Sequence, residues 1–173
     1  MLSKEDNEQL TRVGPGTAMG ALMRRYWIPA AFSQQIAEPD GPPLRVRLLG
    51  ENLVLFRDTS GRAGLLDEKC PHRTASLFFG RNEANGLRCV YHGVKFDVEG
   101  NCVELPCVPQ MSEAHRVNAQ KHLKATAYPC IERGEVVWTY MGPPGHQPQF
   151  PELEWTLVAP AQRYATRHIQ ECN

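Results

Sequence analysis

Two short motifs constrain this chain more than anything else in it: Cys70-Pro71-His72-Arg73 and Cys89-Val90-Tyr91-His92-Gly93, with sixteen residues between His72 and Cys89. Each motif supplies one thiol and one imidazole. A fold that brings the two loops together gathers two sulfur and two nitrogen donors, a set suited to a [2Fe–2S] cluster whose one iron takes both Cys and whose other iron takes both His. Two neutral imidazoles in place of two thiolates remove negative charge and make such a cluster easier to reduce than an all-Cys one. A structural zinc site uses the same residue types and is the competing reading. Zinc sites of that kind usually pair Cys with Cys and then His with His, whereas both pairs here are mixed and the first is separated by one residue only. Cys70, His72, Cys89 and His92 are therefore the candidate metal and cofactor ligands, with iron–sulfur preferred to zinc.

At these residues the chain resembles the Rieske domain of bacterial ring-hydroxylating and demethylating oxygenases, of the phthalate 4,5-dioxygenase and vanillate demethylase type. The resemblance extends over Arg12-Val13-Gly14-Pro15-Gly16, Arg24-Arg25-Tyr26-Trp27-Ile28-Pro29, Ser76 to Glu83 and Tyr140-Met141-Gly142. It departs from the family pattern at Thr74, where Gly is common, and at Val94, where Trp is common. High-potential Rieske proteins tie their two ligand loops with a disulfide. The corresponding places here are Ala75 and Tyr91, so the resemblance implies a potential toward the low end of the Rieske range, roughly −150 to 0 mV. It further implies a mainly β, antiparallel-sheet Rieske domain with short N-terminal helices, electron supply from a flavin or iron–sulfur reductase, an aromatic substrate, and a homotrimer when complete.

Composition narrows the partners. Nineteen Lys and Arg balance nineteen Asp and Glu, which gives no support to a nucleic-acid or anionic-membrane partner. The first residues lack a basic region leading into an apolar core, and no uncharged apolar run approaches the roughly eighteen residues a membrane helix needs, so a cytoplasmic protein is expected. Of six Cys, Cys102, Cys107, Cys130 and Cys172 stand outside the motifs, and Cys102 and Cys107 read as small apolar residues rather than a second site. His115, His122, His146 and His168 have no partner at ligand spacing and receive no metal role. Arg73 and Tyr91, beside the ligands, are expected to shape the loops.

Along the chain, Ser3 and Thr17 are expected to cap two helices, the first stopped at Gly14-Pro15-Gly16 and the second running to Pro29 with Arg24 and Arg25 on a solvated face. The period then changes to two, giving hairpins around Gly50-Glu51 and Asp58 to Gly61. Leu77-Phe78-Phe79 is expected to pack beneath the metal site. Val94, Phe96 and Val98 alternate with polar residues and predict a strand that turns at Glu99-Gly100-Asn101 into Cys102 to Leu105. Residues 106–121 read as irregular, 123–128 and 136–140 as strands, the Pro-rich 141–151 as a linker, and 162–166 as an edge strand. These readings divide the chain into a helical segment 1–29, a Rieske domain 30–142, and a linker 143–173 leading into a catalytic domain.

The resemblance also implies a second, mononuclear iron held by two His and a carboxylate, the two His separated by four residues. Five positions after the six His stand Leu77, Asp97, Gln120, Ala127, Pro151 and Asn173, so the motif is absent from this sequence. The mononuclear Fe(II) is expected in a C-terminal domain beyond Glu171-Cys172-Asn173. The chain then reads as the electron-transfer part of an oxygenase, with a stand-alone Rieske ferredoxin and a zinc-stabilised module as alternatives.

Overall fold

Three antiparallel sheets and four short helices make up the computed structural model, which describes residues 2–107, 110, 112–166 and 168. The middle sheet explains the arrangement. Its strands β2 (Leu44–Leu48), β3 (Glu51–Arg57), β4 (Ala63–Asp67) and β9 (Ala127–Tyr128) lie in that order. Within β3, Leu53, Val54, Leu55 and Phe56 are all fully buried, the uninterrupted apolar run of a strand covered on both faces. Because successive side chains point to opposite faces, Leu53 and Leu55 enter one core with Val46, Leu65, Val137 and Met141, while Val54 and Phe56 enter another with Leu66, Leu87, Val94 and Phe96. Each such side chain contributes about 2 kcal/mol on burial.

The first core is closed by β1 (Trp27–Phe32), β11 (Val136–Tyr140) and β10 (Cys130–Arg133), in that sheet order. The second is closed by a small sheet of β5 (Arg81–Asn82), β6 (Leu87–Arg88), β7 (Lys95–Phe96) and β8 (Cys102–Glu104). Close packing between strands is visible at Gly64, where a Cβ would sit 2.8 Å from the Phe56 ring. The β2–β3 turn places Leu49 and Gly50 at φ 44° and 80°, the left-handed pair that a tight two-residue hairpin requires.

Helix α1 (Lys4–Thr11) is capped by Ser3, whose hydroxyl accepts from the Asp6 N–H at 3.1 Å, as the sequence predicts. Helix α2 (Ala18–Met23) is capped by Thr17 but is shorter than predicted: it ends at Met23, and Pro29 lies inside β1. Arg24 is not on a solvated face. It pairs with Glu51 at 2.5 Å and donates to the Leu49 carbonyl, with 13% of its side chain exposed.

The second half of the stretch 106–121, read as irregular, forms α3 (Glu113–His122), capped by Ser112 and carrying Lys121 and His122 in its last turn, at the negative end of the helix. The alternation from Val94 to Val98 is also broken. Strand β7 holds two residues, a register shift separates Lys95 from Phe96, and Lys95 is buried rather than solvated. After β11 the Pro-rich segment is strapped onto the sheet: Trp27 Nε1 donates to Pro148 O at 2.9 Å, Tyr140 donates to His146 O at 3.0 Å, and Phe150 packs edge-on against Trp27 and Trp138. Helix α4 (Glu154–Leu157) sets Trp155 beside Trp138. The strand expected at 162–166 is not formed; Gln162 closes a 3-10 turn and Arg163 to Thr166 lie in coil. Cys172 and the Glu171-Cys172-Asn173 segment lie outside the described residues. Among the described residues no helix is long and apolar enough to cross a membrane.

Candidate metal centre

The two motifs become two loops of the same build. The first follows β4; the second joins β6 to β7. In each, the N–H of the Cys donates to the carbonyl five residues on, Cys70 to Ala75 at 2.8 Å and Cys89 to Val94 at 2.9 Å. In each, the residue four positions on donates back to the Cys carbonyl, Thr74 to Cys70 at 2.8 Å and Gly93 to Cys89 at 3.0 Å. That returning residue has positive φ in both loops, 56° at Thr74 and 72° at Gly93. The chirality that makes Gly93 natural makes Thr74 costly, which locates the physical weight of the Thr74 departure.

This repeated geometry brings the four predicted residues together. Cys70 and Cys89 are both buried, at 1% and 2% exposure, in the same apolar cluster. The His72 and His92 rings meet edge to face, with centroids 4.7 Å apart. Burial pushes the Cys70 thiol up to about 11, and the neighbouring Cys89 adds to the rise, while the backbone of His72 and Arg73 acts the other way. His72 is shifted down, first by burial and then by the nearby His92 and Arg73 charges, which favours the neutral imidazole that a metal requires.

The donor set fits an iron–sulfur group held two and two. His72 Nδ1 is buried and has no hydrogen-bond partner, an orphan that a metal would satisfy. Among the described residues no three or more His, Cys, Asp or Glu side chains gather as a single ion would need. A binuclear cluster divides its protein ligands between two irons.

Around the four candidate ligands the sequence reading succeeded unevenly. Tyr91 is exposed and lies over His92, ring centroids 3.9 Å apart; Arg73 is exposed. Leu77 is fully buried as expected, but Phe79 is 64% exposed, and Phe78 is only partly buried. Phe78 packs against the core cluster that contains Cys70 and Cys89 while Phe79 does not, and the Arg45 guanidinium lies over both rings, at 4.2 and 5.7 Å. Arg45 also pairs with Glu68 at 2.6 Å, and Glu68 accepts from the Ser76 hydroxyl at 2.5 Å, which closes the base of the first loop. Burial alone would raise Glu68, but the Arg45 and Ser76 bonds outweigh it and hold this carboxyl below its ordinary value. Sequence reasoning missed Arg45, Glu68 and Arg88. Only Arg88 carried a local signal, its place immediately before the candidate ligand Cys89.

Cys102 belongs to the core cluster that contains Cys70 and Cys89, with Cys107 packed against it, in keeping with their reading as apolar residues. Burial raises Cys102 to about 11 and Cys130 to about 12. His115 and His122 lie exposed on α3, away from any ligand set.

The chain matches the Rieske [2Fe-2S] domain family over residues 26–129. It is 46% identical over its whole length to a phthalate 4,5-dioxygenase oxygenase subunit of Pseudomonas putida, of which it covers 38%. A 3-chlorobenzoate-3,4-dioxygenase oxygenase subunit of Comamonas testosteroni is 50% identical over 89% of the chain and 34% of the relative. A 5,5'-dehydrodivanillate O-demethylase oxygenase subunit of a Sphingobium species is 46% identical over 89% and 35%. Among solved structures, dicamba monooxygenase bound to dicamba superposes with a TM-score of 0.66 at 29% identity, over 80% of this chain and 41% of that one. The chain thus spans well under half the length of these relatives. Its paired Cys–His loops, its three-sheet fold and this similarity together mean that the chain belongs to the Rieske [2Fe–2S] domain family, in the branch found in the oxygenase subunits of Rieske oxygenases.

Proposed function

We propose that this chain is the electron-transfer portion of an aromatic-ring hydroxylating or O-demethylating oxygenase. The observation that carries the reading is the pairing of the two loops, which buries Cys70 and Cys89 in one cluster and sets the His72 ring against that of His92. Cys70 and Cys89 would hold one iron and His72 and His92 the other. A [2Fe–2S] cluster held there supplies one-electron chemistry, taken from a flavin or iron–sulfur reductase and delivered to a mononuclear iron site that this sequence does not contain.

The chain's own residues do the rest. The backbone of His72 and Arg73 stabilises negative charge at the Cys70 sulfur, and the apolar packing of Leu77, Leu87 and Val94 keeps water from both cysteines. The imidazoles lie nearer the surface than the sulfurs, so the His edge is the side on which an electron partner approaches. The proposed division is a helical segment 1–29, the Rieske domain 30–142, and 143–173 leading toward a catalytic domain. In a complete enzyme we propose a homotrimer with an aromatic substrate bound outside these residues, consistent with the substrates that name the relatives.

The test is a reductase, reduced nicotinamide cofactor, and a panel of aromatic acids and methoxy-aromatics, with absorbance bleaching and product followed separately. Reduction without product is expected. Product formed by this chain alone would overturn the assignment, and a colourless zinc protein would replace it with the structural-metal alternative. Efficient electron delivery from this chain to an unrelated terminal oxygenase would favour the stand-alone ferredoxin.

A further inference from the structure

Arg88 stands immediately before Cys89, Gly93 stands immediately after His92, and the side chain of the first reaches the backbone of the second: Arg88 Nη1 donates to the Gly93 carbonyl at 2.9 Å. The remaining faces of the guanidinium are taken by two carboxylates. Nε donates to Glu83 Oε1 at 2.5 Å and Nη2 to Glu104 Oε2 at 2.6 Å. Lys95, with 6% of its side chain exposed, pairs with the other oxygen of Glu104 and donates to the Ala84 carbonyl at 3.2 Å.

Nothing in strand formation asks for this arrangement. Arg81, Arg88 and Lys95 are direct cross-strand partners, and like charges placed opposite one another repel. A β-branched residue would suit β6 better. The cations persist because Glu83 and Glu104 lie among them, and the product is one guanidinium fixed on three sides across the mouth of a metal-ligand loop. The first loop is held differently: Lys69 occupies the place before Cys70, and its ties are made at the base, through Arg45, Glu68 and Ser76.

We propose that Arg88 is a positioning residue that clasps the second ligand loop shut and thereby fixes how far Cys89 and His92 reach toward the metal. The proposal rests on the iron–sulfur reading above and adds a structural cause for the geometry of one half of the site. The planar fork matters, since three directions are used at once and an ammonium on a flexible stem does not reproduce them.

The experiment compares the iron–sulfur-loaded chain with Arg88→Gln, Glu104→Gln and Arg62→Gln. Arg62 serves as control because it is tied to Asp58 and Glu99, outside both ligand loops. The readouts are the EPR line shape of the reduced protein, its midpoint potential, and the rate of cluster bleaching in sub-denaturing urea. Arg88→Gln should alter the line shape and potential and bleach about tenfold faster, the factor that loss of one charge-assisted hydrogen bond carries. Glu104→Gln should move the same readouts less far, and Arg62→Gln should leave the EPR spectrum as it was. A parent-like spectrum, potential and bleaching rate in Arg88→Gln overturn the clasp, as does the same change in Arg62→Gln. If Arg88→Gln takes up no cluster, Glu104→Gln decides by the same criteria. A parent chain that binds zinc instead would sink the iron–sulfur reading alone, and the clasp would then be judged by amide exchange at Gly93 and Val94: faster exchange in Arg88→Gln supports it, equal exchange overturns it.

Discussion

Thr74 and Gly93 occupy the same place in two loops of the same build, and both hold positive φ, 56° and 72°. Gly adopts this conformation freely; a β-branched residue does so at a cost. Thr74→Gly should therefore stabilise the fold, by about 0.5–1 kcal/mol once the greater freedom of Gly in the unfolded chain is subtracted. The reverse substitution at the partner position, Gly93→Ala, should destabilise, since its Cβ would also meet Pro106 Cγ at 2.9 Å. Urea denaturation of both variants tests the pair, and a less stable Thr74→Gly protein would show that the threonine side chain makes a compensating contact.

Ligand substitution should separate cysteines that hold the cluster from cysteines that fill space. Cys89→Ser is expected to abolish the visible spectrum, and Cys107→Ser to leave it in place, although both belong to or touch the same apolar cluster. Chemical analysis of the parent should give about two iron and two sulfide per chain. Retained colour in Cys89→Ser would remove this residue from the ligand set.

Acid should loosen the fold through identifiable carboxylates. Hydrogen bonds from Arg57 hold Glu132 below its ordinary value, and those from Lys95 and Arg88 do the same for Glu104. A carboxyl with a depressed folded value stabilises fully above the unfolded value of about 4.3 and loses that contribution as pH falls through the folded one. Glu132→Gln should give a shallower acid limb in a plot of stability against pH than the parent. An unchanged limb would mean that Glu132 does not contribute to it.

The pair between Arg24 and Glu51 joins the end of α2 to the start of β3, and Glu51 also accepts from the Tyr128 hydroxyl at 2.6 Å. Removing one partner leaves a poorly solvated charge, so Arg24→Ala should cost about 2–3 kcal/mol. A loss below about 0.5 kcal/mol, the range of an ordinary surface substitution, would show that water replaces the pair without penalty.

What could be read from the sequence was what is written locally. The meeting of the two Cys–His motifs follows from donor type and spacing, the caps of α1 and α2 from Ser3 and Thr17, and the hairpins from turn residues between alternating segments. Long-range pairing was the hidden part. Arg24 looked solvated because its partner Glu51 is remote in sequence, and Lys95 looked like the polar side of a strand until a register shift buried it against Glu104. Helix α3 was overlooked for a different reason: flanking prolines outweighed the Ser112 cap and the basic residues at its end. Phe79 shows the limit of hydrophobicity as a guide, since an Arg45 guanidinium supplies company that a core would otherwise provide.

The strap over the outer sheet has a bearing on topology. Trp27 Nε1 and the Pro148 carbonyl are 121 positions apart in sequence and 2.9 Å apart in space. The β-unit between them is therefore entered and left at one doorway, and its layers are wound between two neighbouring points. Closing so long a stretch carries an entropic cost that grows only slowly with length. A unit with adjacent entrance and exit is transplantable: it can be spliced into a surface loop of another scaffold, or its ends can be joined and reopened elsewhere, without spanning the width of the fold.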